Sequence, residues 1–204
     1  MQRSPPPRSE RARGEAIGLL AVALRPPADP GELAACLEGL RQRVRWDPDA
    51  YGWVDAAARL ARDTQMEREY HRLFLGPAPP VAPPFASVYR DGRAFGPASV
   101  EFLRELREAG FEPVADIGVP PDHVCLELEY LAELEFRVAY ARDSGRHAEA
   151  AEWAERANTF VDRHLARWLP AFVRRLEAGA PGSPYTFLAR AAAKVVGVET
   201  GRDG

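Results

Sequence analysis

The chain has 204 residues, 46% of them hydrophobic and 28% charged, with a net charge of −3. A chain of this size can bury about 70% of its unfolded surface, so it needs no metal or disulfide staple. The slightly acidic balance argues against a nucleic-acid binder, which needs a basic face. The longest apolar runs are too short for a membrane span of roughly 18 residues.

Met1–Arg13 is rich in Arg and Pro and leads into Ile17–Leu24. Glu10 and Glu15 interrupt this approach, and Arg25-Pro26-Pro27 stands where a signal-peptide cleavage site would need small residues. The segment therefore reads as a flexible tail over 1–8 and a first core helix over about Ser9–Leu24, in a cytoplasmic protein. Asp29-Pro30 and Asp47-Pro48 each begin a helix, because Asp caps and Pro fits the first turn. Leu33, Leu37, Leu40 and Val44 form the apolar stripe of the second helix, and Tyr51, Val54 and Ala58 that of the third. Thr64-Gln65-Met66-Glu67 has the form of a capping box, predicting a fourth helix to about Leu75.

Gly76–Pro97 holds Pro77, Pro79, Pro80, Pro83, Pro84 and Pro97 together with Phe85, Val88, Tyr89 and Phe95. The prolines cannot continue a helix, and the aromatic content is too high for a disordered linker. An ordered, extended, functional loop is expected. A fifth helix follows over about Ala98–Ala109 and stops at Gly110. Pro120-Pro121-Asp122 opens a long helix to about Ala141. Further helices are expected over His147–His164, Leu165–Ala178 with Pro170 near a bend or break, and Tyr185–Val196. Strand alternation is absent. The fold class is all-α, a compact bundle of about eight to ten helices over 9–197, as one domain or as two lobes (9–110 and 120–197), with a tail over 198–204.

Pro121-Asp122-His123 with Glu127 is the strongest polar cluster. His123 and Glu127 lie four apart and face one side of a helix, and Glu127 shares that side with Val124, Leu128 and Leu131. A carboxylate there needs a partner. A capping Asp122 with satisfied His123 and Glu127, a binding or hinge site, and a metal site are all open on spacing. The metal reading is a hydrolase using His71, His123, Glu127 and His164. Helical spacing of Tyr70, Leu73 and Phe74 is ordinary core spacing. Cys36 and Cys125 read as reduced core residues. Phosphate-loop, dinucleotide and GxSxG signatures are missing.

Five stretches in order resemble the TorD/DmsD/NarJ family of redox-enzyme maturation chaperones. Glu69-Tyr70-His71-Arg72-Leu73-Phe74-Leu75-Gly76-Pro77 is similar to EYxRLFxGP, and Pro83–Gly92 (PPFASVYRDG) to PPxxSVYxDG. Pro121–Leu131 (PDHVCLELEYL) is similar to PxDHxxxELEFL, His164–Phe172 (HLARWLPAF) to HLxxWxPxF, and Pro184–Ala189 (PYTFLA) to FYxxLA. The loop-like Ala180–Pro184 departs from the pattern and leaves the start of the last helix in doubt. The resemblance implies an all-helical chaperone, not an enzyme and with no cofactor of its own. It implies binding of a twin-arginine signal peptide and of an apo molybdopterin oxidoreductase. It carries the site onto Tyr70, Leu73, Phe74, Pro84, Phe85, Ser87, Val88, Tyr89, Asp122, His123 and Glu127. Leu73, Phe74, Phe85, Val88 and Tyr89 would line an apolar groove, and Asp122 and Glu127 would meet the leader's arginines. Losing Asp122 or His123 is then expected to harm client binding more than stability. A monomer or domain-swapped dimer is implied. A structural helical adaptor is the other non-enzymatic reading.

Overall fold

A computed structural model describes residues 9–27, 29–62, 64–76, 79–111 and 120–201. Among them are ten α-helices. They are α1 (Glu10–Ala23), α2 (Pro30–Arg43), α3 (Pro48–Ala61), α4 (Met66–Tyr70), α5 (Ala86–Arg90), α6 (Pro97–Glu108), α7 (Val124–Asp143), α8 (His147–Arg163), α9 (Leu169–Gly179) and α10 (Pro184–Val196). A π-helical turn (His71–Leu75) follows α4, and a 3-10 turn (Leu165–Arg167) precedes α9. The described residues contain no β-strand beyond one isolated bridge, Phe85 with His123.

Local chemistry accounts for the helix starts. The Ser9 hydroxyl accepts the Ala12 N–H, Asp29 accepts those of Gly31 and Glu32, and Asp47 accepts that of Ala50. Each satisfies amides that a first helical turn leaves unpaired. Ser183 does the same for Tyr185, so the loop-like stretch before it ends in a proper cap and α10 starts at Pro184. Gly197 closes α10 at φ +83°, a left-handed value glycine takes without strain. Val198, beyond the expected end of the domain, is buried against the core.

Four expectations need correction. The capping box over Thr64–Glu67 does not form: Gln65 holds the cap position and makes no side-chain bond. The helix then widens into the π turn. Pro77 has no N–H to offer the Leu73 carbonyl four residues back, and Ala82 donates to that carbonyl instead at 3.0 Å. The Pro-rich loop is not wholly extended, since α5 forms inside it. The long helix α7 begins at Val124, capped by His123 rather than Asp122. The break expected near Pro170 is present: the 3-10 turn ends at Arg167 and α9 starts at Leu169, with Pro170 in its first turn, where its missing N–H does no harm.

The helix α7 organises the packing. It lies against α1 and α8, while α10 contacts α1, α3 and α9, and α2 joins α1 to α3. One core cluster runs from Ala16 to Val198. Close approach of α1 to α7 depends on Gly14, where a Cβ would meet Glu135 Cβ and Phe136 Cε1 at 3.1 Å. Two aromatic groups join the remaining elements. Tyr70, Phe74, Phe172 and Tyr185 knit α4 and the π turn to α9 and α10, and Phe102, Tyr130 and Phe160 knit α6 to α7 and α8. Each such side chain contributes about 1.5–3 kcal/mol on burial. Cys36 and Cys125 are both buried and unpaired, and burial pushes their thiols up to about 11 and about 12.

Arg13 pins three helices together. It pairs with buried Glu135 of α7 and donates to the Val195 and Val196 carbonyls of α10 at 3.2 and 3.0 Å. Arg13→Ala strands a buried carboxylate. It should destabilise the protein by about 3 kcal/mol, read as a lower urea midpoint with an unchanged slope.

Candidate functional site

The Pro-rich strap and the start of α7 are joined edge to edge. Val124 donates its N–H to the Pro84 carbonyl at 2.8 Å, and Ala86 donates to the Asp122 carbonyl at 3.0 Å. Between these lies the bridge of Phe85 with His123, whose rings meet edge-on at 5.5 Å. The Asp122 side chain completes the clamp. One oxygen accepts the Ser87 N–H at 2.6 Å and the other accepts the Ser99 hydroxyl of α6 at 2.7 Å. Asp122 is fully buried, and it is the strap and α6 that supply the donors such a carboxylate requires. This answers why Asp122 does not cap α7: its oxygens are in use elsewhere.

His123, also fully buried, takes the capping role. Its Nδ1 accepts the Cys125 N–H at 3.1 Å, so the ring proton sits on Nε2, which donates to Tyr70 Oη 3.0 Å away. Burial dominates its titration and lowers its pKa to about 3, against an opposing pull from Asp122. The ring is neutral at physiological pH. Glu127, one turn on, accepts from the Trp168 indole N–H at 2.9 Å through Oε2. Burial raises its pKa to about 8; the Trp168 bond works the other way, and Asp122 adds to the rise. Glu127 is therefore largely protonated at neutral pH. Its proton belongs on Oε1, which has no protein partner among the described residues.

The structure brings the carried-over residues into one region but distributes them by depth. Tyr70, Leu73, Phe74, Pro84, Ser87, Asp122, His123 and Glu127 are buried, whereas Phe85, Val88 and Tyr89 are partly exposed. Leu73 and Phe74 thus belong to the core in this conformation and do not line an open groove. Asp122 is enclosed with its acceptors occupied, and Glu127 is uncharged, so neither presents a free negative charge to an arginine. Tyr89 leans on Trp168, just before α9, and on Phe172 within it, with Arg175 over its ring. Ser99 and Trp168 complete the polar network, and sequence reasoning gave neither of them that role. Ser99 carried one usable signal, its position one turn before Phe102 on the buried face of α6.

The tetrad of a metal hydrolase does not assemble. His71 is exposed on the π turn, His123 Nε2 is engaged by Tyr70, and Glu127 Oε2 is engaged by Trp168. Among the described residues no three His, Cys, Asp or Glu side chains are placed to hold a metal ion. No described helix is long and apolar enough to cross a membrane.

What the fold and site define is an all-helical protein in which buried polar side chains position a strap. Residues 27–174 match the family described as "Nitrate reductase delta subunit". The chain is 32% identical to the chaperone protein TorD of Vibrio vulnificus over 150 residues, 71% of this chain and 68% of that one. It is 36% identical to a chlorate reductase assembly chaperone protein of Ideonella dechloratans over 64% of this chain and 70% of that one. A 58-residue stretch, 28% of this chain and 29% of its relative, is 53% identical to a selenate reductase assembly chaperone protein of Thauera selenatis. Its fold is shared with a crystal structure of a candidate redox enzyme maturation protein from Archaeoglobus fulgidus. There the TM-score is 0.59 at 21% identity over 90% of this chain and 93% of that one. The chain belongs to this family of TorD-like redox-enzyme maturation chaperones, and it is a chaperone rather than an enzyme.

Two predictions follow from the network. Asp122→Ala leaves the Ser87 amide and Ser99 hydroxyl buried without an acceptor, a cost of about 2–6 kcal/mol by the usual penalty per orphaned group. That exceeds the roughly 1 kcal/mol of a lost helix cap, and chemical denaturation will separate the two. Glu127 favours the folded state in its protonated form, so its contribution is complete below about pH 4.5 and is lost as pH rises through about 8. His123 acts oppositely: its contribution holds above about 6.5 and fades as pH falls toward 3. Glu127→Gln should flatten the decline on the alkaline side alone, measured as melting temperature against pH.

Proposed function

We propose that this chain binds an immature molybdopterin oxidoreductase in the cytoplasm through the strap and adjoining surface. In this reading it takes up the twin-arginine leader, assists cofactor insertion and withholds the client from export until insertion is done. The relatives named for selenate and chlorate reductase assembly support an oxidoreductase client. The observation that carries the reading is the joining of the strap to the start of α7, because it fixes partly exposed Phe85, Val88 and Tyr89 on a buried scaffold.

A leader peptide offers two cations followed by an apolar segment, and an apolar surface suits the second part. Phe95 and Val100, in the next turn and helix, are further exposed apolar side chains, each 66% exposed. Phe95 also has φ +56°, a left-handed conformation that a non-glycine residue seldom adopts. The turn is held by Asp91, which accepts the Ala98 N–H at 2.8 Å and sits where any Cβ on Gly96 would strike it. A locally strained turn that holds a ring in solvent is the kind of feature found at binding surfaces. A strap already held in place loses little entropy on binding. Release must remain possible, so micromolar affinity, on the order of −8 kcal/mol, is expected.

The continuous core supports a single domain over 9–197, acting as a monomer or a domain-swapped dimer. Calorimetric titration with the twin-arginine leader of a molybdopterin oxidoreductase encoded beside this gene should give a saturable micromolar isotherm. Phe85→Ala with Val88→Ala should weaken it about tenfold, the ordinary cost of losing an apolar anchor, while the melting temperature stays within a few degrees. The apo-enzyme should bind and the cofactor-loaded enzyme should not. Absence of binding to both leader and apo-enzyme would end this reading, and equal binding of loaded enzyme would favour a structural adaptor.

A further inference from the structure

A cavity of about 410 Å³ lies between α6, the end of α8 and the 3-10 turn. It is within the range of small-ligand and peptide pockets. Four arginines line it: Arg90, Arg104, Arg163 and Arg167. Three glutamates line it too, and two of these are fully committed. Glu101 pairs with Arg90 at 2.6 Å, and Glu105 takes Arg156 at 2.9 Å and the Tyr130 hydroxyl at 2.6 Å. Glu108 reaches Arg104 only at 4.0 Å. Arg163 and Arg167 are exposed and have no acidic partner among the described residues.

His164 forms part of the same wall, stacked on Phe160 at 4.8 Å, and its Nδ1 has no protein partner among the described residues. Arg90 Nη1 shares that condition, while the other arm of the guanidinium holds Glu101. Burial, with Arg90 nearby, lowers the pKa of His164, so the ring is neutral at physiological pH. Glu101 is answered by Arg90 and Glu105 by Arg156, so it is Arg163 and Arg167 that keep positive charge to offer a ligand. Two guanidiniums lining one cavity, without acidic partners among the described residues, offer the forked donors that a carboxylate accepts in pairs.

We infer that this cavity is a second recognition site, which takes a single carboxylate, supplied by an acidic side chain of an extended peptide, between Arg163 and Arg167. It goes beyond the strap reading, because a cation-rich cavity is the wrong sign for a twin-arginine leader. An acidic segment elsewhere in a bound polypeptide is the chemistry it fits. A free carboxylate such as acetate shares that chemistry, and the test separates the two sources.

The full chain, isotopically labelled, is titrated with an N-acetylated, C-amidated glycine peptide carrying one aspartate. The same peptide with asparagine and acetate alone are titrated in parallel. Saturable amide shifts at Arg163, His164, Arg167 and Glu101 are expected with the aspartate peptide and not the asparagine peptide. The double variant Arg163→Gln with Arg167→Gln should weaken binding about tenfold or more, the loss that follows when charge-assisted bonds to a carboxylate are removed. Both positions are exposed, so an unchanged melting temperature checks that the variant is folded. Acetate giving the same shifts would assign recognition to the carboxylate itself; shifts with the peptide alone would assign it to the polypeptide. Equal responses to the two peptides, no saturation, or an unaltered affinity in the folded double variant would overturn the inference.

Discussion

The position of the strap rests on one carboxylate. The Pro-rich segment contributes few hydrogen bonds of its own, because its prolines lack the donor that a ladder or helix requires. Asp122 supplies the missing order by accepting from the Ser87 amide and the Ser99 hydroxyl together, which ties strap, α6 and the start of α7 to one buried point. Around that point the isolated bridge fixes the register, with Pro84 facing Val124 and Ala86 facing Asp122. The exposed faces of Phe85, Val88 and Tyr89 are consequences of that register. A shift of one residue would turn Phe85 away from His123.

The same region also holds unpaired polarity. Ser87 Oγ, Arg90 Nη1, Glu127 Oε1 and His164 Nδ1 are buried without protein partners among the described residues. Groups of this kind cost roughly 1–3 kcal/mol apiece. Arg41 Nε, Trp46 Nε1 and Asp47 Oδ2, around α2 and α3, share that condition, so such groups are not confined to the strap.

The helical layout was legible because its signals are local. Asp29-Pro30, Asp47-Pro48 and the stripe Leu33–Val44 each specify a helix within one or two turns, and Gly110 and Gly197 mark ends by their freedom at positive φ. Juxtaposition of the strap with α7 was not visible in spacing. It came from resemblance, because Ser87 and Asp122 are separated by 35 positions and nothing in either segment names the other. What was misjudged is depth. Leu73 and Phe74 have the periodicity of a core and are core, yet family likeness suggested a groove. The role of Asp122 was misjudged for a related reason. An Asp before a helix reads as a cap, and only three-dimensional contacts reveal that His123 caps while Asp122 reaches sideways.

The charge state of Glu127 shows how depth changes chemistry. On a sequence, a Glu four residues after a His suggests an anion available for a cationic ligand. Inside the bundle, with Trp168 as its one donor, the carboxyl keeps its proton at neutral pH. It then acts as a neutral spacer between α7 and the segment leading into α9, under the ring of Tyr89 that packs on the same indole. Ionising it would place a charge whose hydrogen-bond donor among the described residues is the Trp168 N–H, with Arg90 acting on it only through space. Opening the strap to water would remove much of the penalty that burial imposes, so strap position and the protonation of Glu127 are linked through one desolvation energy. The buried cluster is therefore best understood as the support that sets how firmly the strap is held, and in the function proposed above contact with a client falls to the side chains that the strap carries to the surface.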